Sequence, residues 1–204
     1  MDEKMVSVET MRRSDAWTIG HLVPSKELMR RAGTAIFEAG KWKAPVAVVC
    51  GKGNNAGDGY VAASLMHQNK IPCKIILIAD RFSEDGKYYY DICMKEGIET
   101  GIYQDTMEFS AYGSILDCLL GTGFQGTVTG VMKDVIEKIN ASGAYVVSAD
   151  INSGLNGDTG LGDVYVRSDL TVSIGNYKYG HFRGHADQAM KEKVNCDIGI
   201  IIVD

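Results

Sequence analysis

The chain has 204 residues, of which 45% are hydrophobic and 23% charged, and its formal net charge is -5. This length and composition are typical of a single folded domain, here residues 1–204, and they argue against a disordered chain. The acidic balance, without a cluster of lysines and arginines, excludes a nucleic-acid-binding surface and favours a small-molecule ligand.

Cysteine usage and the start of the chain indicate the compartment. Five cysteines lie far apart, mostly in apolar runs, with no CxxC pair. This pattern predicts reduced core thiols in a cytoplasmic protein. The sequence begins Met-Asp-Glu-Lys, with no basic region followed by an apolar stretch, and its longest apolar runs are strand-sized. We therefore expect neither export nor a membrane anchor.

Apolar residues recur at helical spacing twice near the start of the chain. Two helices are predicted, over residues 7–19 and 25–39. Several apolar residues of this part of the chain are predicted to be exposed, among them Met5, Met11 and Trp17. They suggest a contact surface for a homodimer.

Beyond residue 40, short β-rich runs alternate with helical stretches. Strands are predicted at 46–50, 73–79, 114–117, 145–149, 170–174 and 194–201. Helices are predicted near 58–68, 83–96 and 131–139. Such alternation indicates right-handed crossovers and a sheet covered on both faces. The expected fold is a Rossmann-like three-layer α/β/α sandwich with a mainly parallel central sheet and an N-terminal helical extension.

Glycine-rich or polar loops follow four of the predicted strands, at residues 51–59, 117–126, 150–154 and 175–180. Ligands of open α/β sheets bind outside the carboxyl ends of the strands, and a parallel topology brings these ends to one rim. The first loop is a generic phosphate cradle, because glycines let backbone N–H groups approach a ligand and the next helix offers its positive end.

Each loop also has a purely structural alternative. The first matches neither the GxGxxG fingerprint, because Ala56 stands where the third glycine is due, nor a Walker A loop. Asp117 and Asp150 could each cap a turn. Their joint placement at successive strand ends nevertheless favours a functional site. His181 and His185 lack a third ligand at an orderly spacing, so we expect solvated histidines and not a metal site.

The polar segments share their order with a known family. They are Pro24 to Gly33, the Asn-Asn-Ala-Gly-Asp-Gly block at 54–59, Asp117 with Gly121-Thr122-Gly123, the Asp-Ile-Asn-Ser-Gly block at 150–154, and Lys178. In this arrangement the chain resembles the YjeF N-terminal domain family, whose characterised members are NAD(P)H-hydrate epimerases. The resemblance spans nearly the whole chain, and the two blocks together are far more specific than one glycine-rich loop.

The resemblance implies epimerisation of the R and S forms of hydrated NADH or NADPH (NAD(P)HX) at C6 of the nicotinamide ring, a metabolite-repair reaction. The dinucleotide would be the substrate and not a cofactor. Asp150 would be the catalytic residue, and Asn55, Asp117 and Ser153 would bind one potassium ion per subunit. The implied substrate-binding residues are Asn54, Asn55, Ala56, Gly57, Asp58, Gly121, Thr122, Gly123, Phe124, Gln125, Gly126, Thr127 and Asp150.

Two positions depart from the family pattern, which has glycine at Ala56 and proline at Asn152. We expect Asn152 to loosen the turn that aims Asp150 and Ser153. A partly desolvated Asp150 is expected to have a raised pKa and to protonate the leaving hydroxyl. Lys178 could hold a phosphate, tune the pKa of Asp150, or be a surface lysine.

Partners follow from the same resemblance. The family domain is often fused to a dehydratase, so functional coupling to a separate NAD(P)H-hydrate dehydratase is expected. Two alternatives stay open at this point. One is a non-catalytic nucleotide- or protein-binding Rossmann-like module. The other is a nicotinamide-dependent dehydrogenase, for which Asp80 is a weak ribose-binding candidate.

Overall fold

The computed structural model describes residues 5–203. Its strands are β1 Val46–Cys50, β2 Cys73–Leu77, β3 Glu99–Ile102, β4 Ser114–Cys118, β5 Tyr145–Ala149, β6 Ser168–Ile174 and β7 Met190–Cys196. Its α-helices are α1 Val8–His21, α2 Ser25–Ala39, α3 Asn54–Gln68, α4 Glu84–Lys95, α5 Gly130–Ala141 and α6 Ala186–Ala189. A single 3-10 turn covers Tyr179–Phe182 within the described part of the chain.

The strands form one seven-stranded sheet in the order β3-β2-β1-β4-β5-β6-β7. Every strand pairing in it is parallel. Successive residues of β1 point to opposite faces: Val48 packs in a core with residues of α2, α3 and α4, and Val49 packs with residues of α5. Burial on both faces explains the continuously apolar strands. The predicted three-layer α/β/α sandwich is confirmed.

The edges of the sheet differ from the prediction. Edge strand β3 was not predicted, because its sequence, Glu-Thr-Gly-Ile, is short and has no apolar alternation. The last strand is β7 and not residues 194–201, since β7 is an edge strand whose charged residues are mostly exposed. Edge strands need little apolar surface and often carry charge, so hydrophobic patterning misses them.

The glycine-rich block at 54–59 is helical and forms the first turns of α3. A Cβ atom on Gly57 would lie 2.3 Å from Met29 Sδ, and one on Gly59 would lie 2.8 Å from Cys118 Sγ. These two glycines therefore allow α3 to pack closely against α2 and the sheet. Gly57 and Gly59 of this block therefore serve helix packing, which agrees in part with the purely structural alternative given for this segment.

Helix α1 is fixed by segments from both ends of the chain. Val6 forms a parallel bridge with Lys178, and the Ser7 side chain caps α1 by accepting a hydrogen bond from Thr10 N. Near the other end of the chain, the N–H groups of residues 201 and 203 donate to Thr18 Oγ1 and Ser14 Oγ, both at 3.0 Å.

Among residues 5–203, no helix is long and apolar enough to cross a membrane.

Close contact between α2 and α3 generates a stability prediction. A Cβ atom on Gly33 would lie 2.4 Å from Val61 Cβ and 2.5 Å from the main-chain oxygen of Asp58. We expect Gly33→Ala to lower the free energy of unfolding by about 1–3 kcal/mol in urea denaturation. The control is Gly20→Ala in α1, where a Cβ meets nothing within 4 Å. It should not destabilise, because alanine favours helix. Equal stability of Gly33→Ala and wild type would contradict this packing.

Candidate active site

A cavity of about 650 Å³ lies at the carboxyl ends of the central strands. The loops after β1, β4, β5 and β6 contribute to its wall, as the parallel topology predicts, and α1 contributes Met11, Asp15 and Ile19. This volume is in the range of small-molecule sites. Several of the polar residues singled out in the sequence line this cavity.

Asp150 follows β5 in a strained backbone conformation, with φ of 63°. Its N–H donates to Val172 O at 2.8 Å, and its carboxylate accepts from Thr122 N at 3.2 Å and from Lys178 Nζ at 2.6 Å. A left-handed conformation is uncommon for residues other than glycine, and strain of this kind concentrates at functional sites. The side chain is 16% exposed and faces the cavity.

Lys178 is buried and paired with Asp150. Besides the carboxylate, its Nζ donates to Ile174 O at 2.8 Å. Burial alone would raise the pKa of Asp150, but the charge and the hydrogen bond of Lys178 outweigh burial and hold that pKa below its ordinary value. The expected raised pKa of Asp150 is therefore wrong, as is a surface position for Lys178. Asp150 is an ionised carboxylate at neutral pH.

His181 is fully buried, and its ring forms hydrogen bonds with the backbone of both residues of this pair. One ring nitrogen, Nδ1, accepts from the N–H of Lys178 at 3.1 Å, and the other, Nε2, donates to Asp150 O at 2.8 Å. One acceptor and one donor define a neutral ring. Burial and the nearby Lys178 charge lower the pKa of His181 to about 4. The expectation of a solvated histidine is wrong here, whereas His185 is partly exposed.

Asn55, Asp117 and Ser153, the residues expected to bind a cation, come together at Leu120. Asn55 Nδ2 donates to Leu120 O at 3.1 Å, and Leu120 N donates to Ser153 Oγ at 2.8 Å. Ser153 Oγ in turn donates to Asp117 Oδ1 at 2.5 Å. Three separate strand ends thus place oxygen atoms in one small region.

Two observations test whether a hard cation fits this group. Asn55 Oδ1 is buried and has no hydrogen-bond partner among residues 5–203. The Asp117 carboxylate is fully buried, and burial raises its pKa in spite of hydrogen bonds from Ser153, Ser148 and Leu119. Hard cations take carboxylate, amide and hydroxyl oxygens. An orphaned amide oxygen, linked through Leu120 and Ser153 to a buried carboxylate, therefore fits such an ion.

Asn152 does not loosen the turn between Asp150 and Ser153. Its Nδ2 lies 2.9 Å from Val166 O, 3.0 Å from Ser168 Oγ and 2.9 Å from Ala189 O. Its Oδ1 accepts from Thr171 Oγ1 at 2.6 Å. A buried amide with partners on both atoms ties the turn to the neighbouring segments, so the expectation of a looser turn is wrong.

The residues expected to bind the substrate divide into two groups. Those on the cavity wall are Asn54, Asn55, Asp58, Gly121, Thr122, Gly123, Phe124 and Asp150. Ala56 and Gly57 are buried in the packing of α3, and residues 125–127 are exposed outside the wall. The cavity wall therefore includes the polar part of both glycine-rich segments.

Asp15 is a cavity residue that the sequence interpretation missed. It lies on α1 with Met11 and Ile19, four residues to either side, and all three line the cavity. Burial, with a contribution from Asp150, raises the pKa of Asp15 to about 6 although Lys178 lowers it. The sequence offers only a carboxylate at helical spacing between two apolar residues, and this pattern does not by itself indicate a site.

A family model described as "YjeF-related protein N-terminus" matches residues 25–180. The chain belongs to this family. Asp15 lies outside the matched segment, whereas Asn55, Asp117, Asp150 and Lys178 lie inside it. The sequence resemblance is thus confirmed at the level of the family.

Relatives of the family carry consistent names. The chain is 32% identical to "NAD(P)H-hydrate epimerase" of Limosilactobacillus fermentum, over 88% of this chain and 89% of that protein. It is 31% identical to the epimerase of Limosilactobacillus reuteri (strain DSM 20016), over the full length of both. A match of 41% identity to "Bifunctional NAD(P)H-hydrate repair enzyme Nnr" of Thermofilum pendens covers 66% of this chain but only 28% of that longer protein.

A solved structure supports the fold. The crystal structure of the yeast protein YNL200c superposes with a TM-score of 0.77 at 19% identity, over 93% of this chain and 87% of the yeast chain. At this identity, the similarity concerns the architecture alone.

The buried ion pair generates a prediction about pH and stability. Lys178→Met leaves the Asp150 charge without its partner, which should lower the free energy of unfolding by about 3–5 kcal/mol at pH 7. With Lys178, the depressed pKa of Asp150 stabilises the fold above pH 3.8 and this contribution disappears at lower pH. In the variant, burial without the lysine raises the pKa of Asp150, so this carboxyl takes up a proton as the pH falls from 7 to 4 and the deficit should shrink over this range, measured by urea denaturation.

The control for this variant is Lys191→Met, which removes an exposed lysine 3.5 Å from Asp169. Surface pairs contribute less than about 1 kcal/mol, so this variant should resemble the wild type at both pH values. A deficit of Lys178→Met that stays constant across the pH range would show that packing, and not the charge of Asp150, accounts for the effect.

Proposed function

We propose that this protein is an NAD(P)H-hydrate epimerase, an isomerase that interconverts the R and S forms of NAD(P)HX. The observation that carries the proposal is an ionised Asp150, paired with buried Lys178, facing a cavity that the family's motif residues line. Family membership and the names of the relatives support the same reaction. The dinucleotide would be the substrate and would leave chemically intact except for the configuration at C6.

The phosphates of the substrate would bind at the start of α3. Asn54 begins this helix, whose first N–H groups have no partners within the helix and whose positive end faces the cavity. A Cβ atom on Gly53 or Gly123 would meet nothing within 4 Å, so the backbone is open to a ligand at both positions. An anion can therefore approach these N–H groups directly.

The reacting ring would lie beside Asp150. Donation of the ring nitrogen's lone pair breaks the C6–O bond and leaves a planar iminium cation, which water then attacks from the opposite face. The Asp150 carboxylate would stabilise this cation and take the proton of the attacking water. The Lys178 pair keeps Asp150 ionised for this task, which replaces the expected role of Asp150 as a proton donor.

We also propose one potassium ion per subunit, held by Asn55, Asp117 and Ser153. The partnerless Asn55 Oδ1 and the buried Asp117 carboxylate support this proposal. A bound ion would supply positive charge that offsets the buried carboxylate and would fix the loop after β4 to the turn after β5. Potassium also fits the weak, neutral oxygen donors that accompany the carboxylate.

Three further expectations belong to this proposal. A cytoplasmic location agrees with five cysteines that are all free thiols. Functional coupling to a separate NAD(P)H-hydrate dehydratase agrees with the bifunctional name of the Thermofilum relative. A homodimer agrees with exposed apolar side chains on and beside α1, namely Met5, Trp17, Ile19 and Leu22, whereas Met11 is buried and does not contribute.

The proposal is tested by following R-NADHX chromatographically. We expect the purified protein to form the S epimer faster than the spontaneous reaction, and the product formed in H₂¹⁸O to carry ¹⁸O at C6. Asp150→Asn should lower kcat about 100- to 10,000-fold, because the carboxylate is lost while the shape is kept. Its affinity for the substrate should change little.

Asp163→Asn, at an exposed position away from the cavity, is the matched control and should retain the wild-type rate. Near-normal turnover by Asp150→Asn would remove Asp150 from the mechanism. Tight binding of the hydrated dinucleotide without any acceleration would favour the alternative, a non-catalytic binding module.

The ion is tested separately by thermal denaturation in KCl and in tetramethylammonium chloride at equal ionic strength. Potassium at ten times its Kd adds about 1.4 kcal/mol of stability, which raises Tm by about 3–6 °C for a chain of this size. Asn55→Ala should abolish this shift, since it removes the amide oxygen. Asn69→Ala, at the other end of α3, should keep it. An equal shift in wild type and Asn55→Ala would reject the assigned ligand.

A further inference from the structure

Asp15 is a carboxyl group on the cavity wall that nothing in the motifs explains. It is half-buried, and it forms no hydrogen bond or ion pair with any residue in the range 5–203. Helix α1 is held in place on either side of it by the hydrogen bonds to Ser14 and Thr18. The carboxyl is therefore positioned by its backbone and left open toward the ligand.

The charged groups that face Asp15 come from several elements. Lys178 and Asp150 interact with it electrostatically from the ends of β6 and β5, and Asp58 does so from α3. Lys52 and Asp85 also lie on the wall. Lys178 donates to Asp150 and to Ile174 O and forms no ion pair with Asp15. The carboxyl groups of Asp15, Asp58 and Asp150 all interact electrostatically with this lysine, and of these three only Asp150 is paired with it.

Inversion at C6 needs a proton for the leaving hydroxyl and an acceptor for a proton of the attacking water. Asp150 is ionised and suits only the second task at the start of the reaction. We propose that Asp15 donates the proton to the hydroxyl that leaves C6, with Asp150 accepting a proton from the water that attacks the other face. This inference rests on the proposed epimerase function and adds a catalytic residue from outside the family motif.

The step balances as follows. The nitrogen lone pair forms the N1=C6 bond, the C6–O bond breaks, and the hydroxyl takes the Asp15 proton and leaves as water. A second water then forms the new C6–O bond, the electron pair returns to the nitrogen, and Asp150 takes the released proton. Asp150 then releases its proton to solvent and Asp15 takes one up from solvent, so both carboxyl groups return to their starting states. One water leaves and one is added, with no change in oxidation state.

The position of Asp15 on α1 suits this task better than that of Asp58. Asp15 and Asp150 both line the cavity but come from different elements, α1 and the end of β5, so two separate carboxyl groups can reach one bound ring. Asp58 lies in α3, one turn beyond the helix start proposed for the phosphates. A pKa of about 6 also keeps Asp15 near the pH at which proton donation and recovery are both efficient.

The test compares Asp15→Asn with wild type in kcat, KM and the pH dependence of kcat from pH 5 to 8.5, after subtraction of the spontaneous rate. The wild-type kcat should fall as pH rises above about 6, because the donor must be protonated. Asp15→Asn should lower kcat at pH 6 by about 100-fold or more, change KM less than about threefold, and lack this decline. Glu9→Gln, an exposed carboxyl on the same helix, should behave as wild type.

Asp15→Glu keeps the carboxyl and should recover part of kcat together with the decline above pH 6, which a purely structural role would not produce. An active wild type with an unchanged profile in Asp15→Asn overturns the inference alone. Loss of the decline in Asp58→Asn, with the decline retained in Asp15→Asn, assigns the proton to Asp58 and also overturns it. A wild type that does not accelerate epimerisation overturns the proposed function and this inference with it.

Discussion

The buried pair of Lys178 and Asp150 is the interaction on which the site depends. An ammonium group with almost no exposed surface is costly to desolvate, so it must have a charged partner and further acceptors. The structure supplies both, because Ile174 O and the Asp150 carboxylate accept from the same nitrogen. Neutral His181 completes the arrangement by fixing the backbone at both residues. The ionised state of Asp150 follows from this pair.

The layers of the fold were predictable because burial leaves a simple pattern in the sequence. Central strands such as β1 are covered on both faces and read as uninterrupted apolar runs, and the helices between them show their own periodicity. The edge strands β3 and β7 have one free side and tolerate charged or small residues, so their sequences contain no such pattern. The start of α3 was hidden for a different reason. Its glycines favour loops in isolation and are helical here because the helix packs too closely for larger side chains.

The site was predictable where function requires a fixed residue type at a fixed strand end. Asp117, Asp150 and Ser153 met this condition, and the structure brings Asp117 and Ser153 into direct contact. Burial and pairing were not predictable, because they depend on which distant segments meet. The neutral state of His181 and the fully bonded Asn152 amide each need partners far along the chain. Asp15 was hidden for the same reason, since one carboxylate on a helix indicates nothing until the cavity beside it is known.

The anchoring of α1 has a consequence for the order of folding. The hydrogen bond from Ile201 N to Thr18 Oγ1 joins residues 183 positions apart, and the bridge of Val6 with Lys178 closes a loop of similar length. Contacts between such distant residues form slowly, because the entropy of closing the loop is lost before any contact compensates it. The parallel sheet can assemble from nearer neighbours, so we expect α1 to dock last. The cavity would then gain its wall, and Asp15 its place, only after the rest of the fold is complete.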